Sequence, residues 1–213
     1  MRIPPGPVTN ILVAINAAIA LVLLVPAWWQ QAVFAGALVP ARFGAESGTF
    51  SDSSVIVPAI LTPITAAFLH GGVSHVVLNM LMLLLIGKMV ERVLGGRLYL
   101  ILYFTGAYAA AAAEWIAAPN SMTPVIGASG AISAIIGAYV MLFPNKPPKD
   151  WGPVPASFAR PIHLLAAWTA LNLALGFVAP DLGLGIAIWS HIGGFAAGLL
   201  LVRPLLLWQY RKA

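Results

Sequence analysis

Four side chains able to do chemistry stand in stretches that are otherwise apolar: His75, Asn79, Ser129 and His191. A hydrogen-bonding or ionisable group is costly inside hydrocarbon, so its presence there marks a functional site by default. A hydroxyl beside an imidazole makes a nucleophile and its general base. A second imidazole and an amide can donate to the oxyanion that forms when a carbonyl is attacked. Acyl transfer through a serine is the chemistry these residue types suggest.

Ser129 lies in Gly127-Ala128-Ser129-Gly130, at the start of an apolar run. The first turn of a helix offers free N–H groups and the positive end of the helix dipole, both suited to an oxyanion. The same position also suits an N-cap serine. It is not the nucleophile elbow of soluble hydrolases, because Ala131 stands where that motif needs glycine and no strand precedes it. His191 opens His191-Ile-Gly-Gly194-Phe-Ala-Ala-Gly198, so the imidazole shares a helix face with two glycines that allow a close helix approach. Gly130, Ser133, Ala134, Gly137 and Ala138 give the Ser129 helix a small face of its own, and packing the two faces would bring hydroxyl and imidazole together. A histidine that merely bonds a neighbour within a packing motif is the plainer alternative. His75 and Asn79 are four apart and therefore stacked on one face.

A metal site built from His70, His75 and His191 is not expected, since there is no cysteine, no His-Glu-x-x-His and no carboxylate cluster to complete it. No cofactor is called for. Carboxylates are absent from the polar group: Glu114 falls near the outer end of the third apolar stretch, Asp181 before the sixth, and Glu91 on the opposite side, where Arg92, Arg97 or a helix end would partner it. The expected arrangement is a Ser/His dyad.

The elements that must position these residues are membrane helices. Of the 213 residues 61% are hydrophobic and 8% charged, outside the range of a soluble domain. A mean hydropathy of +0.93 agrees. Six stretches, 11–29, 73–90, 98–118, 129–143, 162–179 and 184–206, approach the ~20 residues that a helix needs to cross hydrocarbon. The fold class is all-α, a single six-helix membrane domain over 1–213. The first stretch is read as a retained helix, not a signal peptide. Residues 31–68 form the longest connection, Trp28, Trp29 and Phe34 suit an interfacial belt, and 144–160 is a proline-rich loop. No internal repeat of the transporter kind is visible.

Ten of the eleven Lys and Arg residues, all but Arg42, fall at the termini or in loops of one parity, which places both termini in the cytoplasm. The pI near 9.9 therefore records topology. No basic stripe interleaved with aromatics suggests a nucleic-acid partner. At about 1.5 Å per residue from the nearest cytoplasmic marker, His191 lies roughly 18 Å up, Ser129 22 Å, His75 20 Å and Asn79 14 Å. Against a core of ~30 Å this sets all four toward the outer half, in a polar cavity open to the external face.

The motifs His70-Gly71-Gly72-x-x-His75-x-x-x-Asn79, Gly127-Ala128-Ser129-Gly130 and His191-x-x-Gly194-x-x-x-Gly198, in this order and topology, resemble those of the rhomboid intramembrane serine proteases over nearly the whole chain. The resemblance implies a six-helix bundle with Ser129 as nucleophile and His191 as base. His75, Asn79 and the Ser129 N–H would form the oxyanion hole, with Gly127 and Ala128 shaping the loop. It further implies that 31–68 is a half-submerged first loop and that the substrates are transmembrane helices of other proteins, entering from the bilayer near the fifth span. Short tails suit a prokaryotic plasma membrane. Ser133 stands where some members carry a tyrosine that stacks on the histidine, so His191 needs another means of orientation, and the first loop lacks a Trp-Arg pair. A non-catalytic rhomboid-like protein that binds membrane clients and a small-solute transporter are the alternatives; the presence of both Ser129 and His191 argues against the first.

Overall fold

A computed structural model describes residues 4–44, 57–144, 150–178 and 185–211. Arg2, Glu46, Asp52, Lys146, Lys149, Asp181 and Lys212 lie outside the described residues. The described chain is all-helical: α1 (Pro7–Val22), α2 (Pro26–Gly36), α3 (Thr62–Ala66), α4 (Val73–Met82), α5 (Lys88–Ala117), α6 (Ser129–Leu142), α7 (Ala156–Val178) and α8 (Ile188–Gln209). A π-helical turn, Leu83–Gly87, joins α4 to α5, so 73–117 is one apolar stretch. That stretch, α7 and α8 are each long and apolar enough to cross a membrane; α1 and α6 are shorter apolar helices.

The stretch 73–117 is not straight. Gly95 has φ 72° and ψ 156°, a left-handed conformation that glycine adopts without steric penalty. A Cβ on Gly87 would sit 2.5 Å from the Tyr99 hydroxyl. Twelve residues of straight helix would hold the two about 18 Å apart. The chain therefore doubles back at Gly95, where the sequence reading expected a longer loop from 91 to 97.

Several expected boundaries shift for local reasons. The 11–29 stretch is two helices, because the chain breaks at Leu23 and restarts at Pro26, whose fixed φ and missing N–H suit a first helical position. The expected loop 31–68 begins inside α2 and includes 3₁₀ turns at Pro40–Phe43 and Ala59–Leu61, followed by α3. The fifth span starts at Ala156 and tolerates Pro161 near its beginning.

The core lies where α5, α6 and α8 pack on one another. Leu94, Leu102, Tyr99, Tyr103, Ile135 and Val202 are fully buried there. α6 owes its central place to small residues. A Cβ on Gly130 would lie 2.6 Å from Ala110 Cβ, and one on Gly198 would overlap the Ala134 carbonyl oxygen, so α5 packs closely on α6 and α8 comes within backbone contact of it. α7 differs: of its 23 residues only Ala159 and Asn172 are buried. Glu91 faces α1, accepting from the Val8 N–H at 3.0 Å, the Thr9 N–H at 2.8 Å and the Thr9 hydroxyl at 2.7 Å. Of the partners considered for Glu91 it is a helix end, that of α1, that the carboxylate serves, since free N–H groups at a helix start need acceptors.

Candidate active site

Ser129 is the first residue of α6 and its hydroxyl does not cap the helix. Instead the Ser129 Oγ lies 2.8 Å from His191 Nε2, joining α6 to α8 across 62 residues of sequence. The seam that allows this is glycine-lined. A Cβ on Gly194, one turn beyond His191, would come within 3.0 Å of the Gly130 carbonyl carbon and overlap its oxygen. Glu114 of α5 fixes the start of α8: one carboxylate oxygen accepts from the Ser190 N–H and from its hydroxyl, each at 3.0 Å. A negative charge at a helix N-terminus is favourable.

The chain leading into Ser129 is held by the first loop. Leu38 and Val125 exchange backbone hydrogen bonds of 3.1 and 2.7 Å, and the Gly127 N–H donates to Ala66 O at 2.9 Å. Gly127 has φ +119°, and a Cβ there would sit 2.7 Å from His75 Nε2 and 3.7 Å from Ser129 Oγ. Backbone of that conformation stripped of a side chain is what lets the His75 ring approach the serine. The loop also binds the neighbouring helices: Thr65 Oγ1 donates to Gly36 O at 2.7 Å, Trp29 Nε1 to His70 O at 2.9 Å and Tyr108 OH to Ile60 O at 2.9 Å.

A hydrogen-bond partner assigns the proton on the His75 ring. The Gly71 N–H donates to His75 Nδ1 at 3.3 Å, so a neutral His75 carries its proton on Nε2, the atom facing Gly127 and Ser129. Asn79 Nδ2 donates to His75 O at 2.9 Å, which engages one of the two amide protons. His70 is buried and meets His75 edge to face, with ring centres 5.0 Å apart. Burial first, and His75 second, push the His70 imidazole down to about 4, so it is neutral at ordinary pH.

The residue that sequence reasoning missed is Asn172 on α7. Its Oδ1 lies 2.9 Å from His191 Nδ1, and its Nδ2 donates to Trp168 O at 2.9 Å. Its signal in the sequence is a lone amide in the apolar run Ala170-Leu-Asn172-Leu-Ala174. Ser133, in place of an aromatic, points elsewhere and donates to Ser129 O at 2.8 Å. A cavity of about 30 Å³ beside Ser129, bordered by Leu38, Pro63, Ala66, Ala110, Gly130 and Ser190, has room for a water.

A helical bundle with membrane-length apolar helices and a serine in contact with a histidine from another helix defines a narrow class. Residues 59–208 match the Rhomboid domain, and the chain belongs to the rhomboid family. It is 37% identical to "RHOMBOID-like protein 4" of Arabidopsis thaliana over 145 residues, 66% of this chain and 32% of that protein. It is 32% identical to "Rhomboid protease GluP" of Bacillus subtilis over 148 residues, 68% of this chain and 26% of that protein. Against "Rhomboid protease GlpG" of Pectobacterium atrosepticum the identity is 32% over 136 residues, 63% of this chain and 45% of that protein. The chain thus spans less than half the length of each of these relatives.

Proposed function

We propose that this protein is an intramembrane serine endopeptidase that cuts transmembrane helices of other membrane proteins. The observation that carries the reading is the 2.8 Å contact between Ser129 Oγ and His191 Nε2. Two relatives whose names include "rhomboid protease" support it.

In the proposed reaction Ser129 Oγ attacks the scissile carbonyl carbon while its proton passes to His191 Nε2. The carbonyl oxygen becomes an oxyanion that meets the Ser129 N–H, the His75 Nε2–H and the second amide proton of Asn79. The protonated His191 then gives its proton to the leaving amine and an acyl ester remains on Ser129. Water, deprotonated by His191, hydrolyses that ester. Gly127 leaves room for His75 beside Ser129, the buried Ala128 seats the loop in the core, and Gly130 lets α5 approach α6, while Gly194 and Gly198 hold α8 against α6. His70 buttresses His75.

The bilayer enters the proposal through topology. With the turn at Gly95, the chain supplies six crossings: α1, residues 73–94, residues 96–117, α6, α7 and α8. Both termini would be cytoplasmic by the distribution of Lys and Arg, with the site opening to the external side of a prokaryotic plasma membrane. The test is labelling by a fluorophosphonate in native membranes. Labelling of the wild type and its loss in Ser129→Ala and His191→Ala is the expected result; labelling that persists in Ser129→Ala removes the serine from the chemistry.

A further inference from the structure

Three linkages join α7 to α8, and two of them meet at His191. Asn172 Oδ1 takes the Nδ1–H of His191 at 2.9 Å, and Trp168 Nε1 donates to the His191 carbonyl oxygen at 3.2 Å. The Trp168 ring stacks on Phe195, one turn further along α8, with centres 4.7 Å apart and planes within 8°. Both side-chain hydrogen bonds between α7 and α8 among the described residues therefore end on His191. α7 packs chiefly on α8 and leaves most of its surface outside the bundle. Asn172 is an exception, at 2% exposed.

The protons follow from the partners. Asn172 Nδ2 is engaged by Trp168 O, so its Oδ1 is the atom facing the ring, and an amide oxygen only accepts. His191 must then carry its proton on Nδ1, which leaves Nε2 with the lone pair that a base for Ser129 needs. The opposite tautomer would present two acceptors to each other at Asn172 and a donor to the serine hydroxyl.

We infer that Asn172 is the positioning residue for His191, and that α7 is through it a working part of the active site: His191 has the tautomer and orientation of a general base only while α7 is docked on α8. This rests on the proposed protease reading for its catalytic consequence, though not for the structural one. An imidazole whose other nitrogen is held by an acceptor is fixed in ring plane and tautomer; without it the ring turns freely about its side-chain torsions and both tautomers populate. Displacement of α7 separates Asn172 from His191 and so idles the base.

Two variants of nearly the same shape separate positioning from packing. Asn172→Leu removes the acceptor, and Asn172→Asp keeps it. The tautomer is read from nitrogen-15 NMR of histidine-labelled protein in detergent micelles, with His191 assigned by its loss in His191→Gln, alongside kcat, KM and the thermal midpoint. The expected result is Nδ1–H for His191 in the wild type and in Asn172→Asp, and a mixture in Asn172→Leu. With a transmembrane substrate, kcat falls about 100-fold in Asn172→Leu while KM stays within twofold, and Asn172→Asp recovers to within tenfold of wild type. A wild-type tautomer in folded Asn172→Leu overturns the inference, as does an Asn172→Asp protein as slow as Asn172→Leu. If the tautomer responds as expected but no variant, wild type included, cleaves or labels at Ser129, the positioning stands and the protease reading falls.

Discussion

Gly194→Ala tests whether the α6–α8 seam sets the distance between the Ser129 and His191 side chains. The new Cβ would lie 3.0 Å from the Gly130 carbonyl carbon and 3.2 Å from Ser133 Cβ, with the Gly130 oxygen closer still. Non-bonded heavy atoms pack at about 3.5–4.0 Å, and with the Gly130 oxygen nearer than either carbon the helices must part by roughly 1 Å or more. None of the obstructing atoms is the end of a flexible side chain that could swing away. Gly130 adjoins Ser129 and Gly194 sits one turn from His191, so the displacement falls on the site itself. A hydrogen bond of 2.8 Å lengthened by ~1 Å passes the limit of a useful one. A misplacement of that size costs on the order of 100-fold in rate, about 2.7 kcal/mol of barrier. Overpacking would also lower stability by about 1–3 kcal/mol. The assay is the second-order rate of fluorophosphonate labelling, measured well below the thermal midpoint of the variant. Gly185→Ala, where a Cβ meets nothing within 4 Å, is the control and should react as wild type. A folded Gly194→Ala protein that labels at the wild-type rate refutes the claim that this seam positions the dyad.

Replacing His75 with Phe removes the Nε2–H donor while keeping a ring against His70, and kcat should fall about 10²–10³-fold with KM little changed; an unchanged kcat excludes His75 from the oxyanion site. Asn79→Ala should lower kcat by a similar order, and wild-type turnover would show that its amide serves only the His75 carbonyl. Glu91→Ala strands the Val8 and Thr9 donors at the start of α1 and should lower stability by about 3 kcal/mol in chemical denaturation, whereas an unaltered midpoint would mean α1 is held elsewhere. Acid sensitivity follows from His70: its folded value of about 4 lies below the ordinary 6.5, so the unfolded chain binds the extra proton between those values. Stability from this group is whole above about pH 6.5 and is lost as the pH falls toward 4. His70→Phe should flatten that part of the stability profile, and an identical slope in wild type and variant would contradict the assignment.

The helical fold was legible because apolar runs of crossing length are the strongest pattern a sequence carries, and the charges between them mark its turns. The contact between Ser129 and His191 was legible for a related reason. Polar groups at matching depth on faces lined by Gly130, Gly137, Gly194 and Gly198 have few places to go but together. What escaped notice depended on local chemistry. The break before Pro26 and the reversal at Gly95 each rest on a single residue's backbone preference inside an apolar run, which periodicity averages away. Asn172 escaped because an orienting partner for histidine was sought among acids, while a neutral amide carbonyl in a low-dielectric site accepts the same hydrogen bond without the cost of burying a charge. The assignment of Glu91 to the start of α1 could not be read either, since the arginines nearest it in sequence competed for the same carboxylate.

The proposed function requires Ser129 and His191 together to cut peptide bonds within the membrane. Its most direct test is reconstitution of the purified protein in liposomes with a panel of single-pass transmembrane substrates, followed by mass-spectrometric mapping of the products. The expected result is a discrete cut near the external end of the substrate helix by the wild type, and intact substrate with Ser129→Ala and with His191→Ala. The same cut appearing with either variant, or intact substrates throughout with a folded wild-type protein, would contradict it.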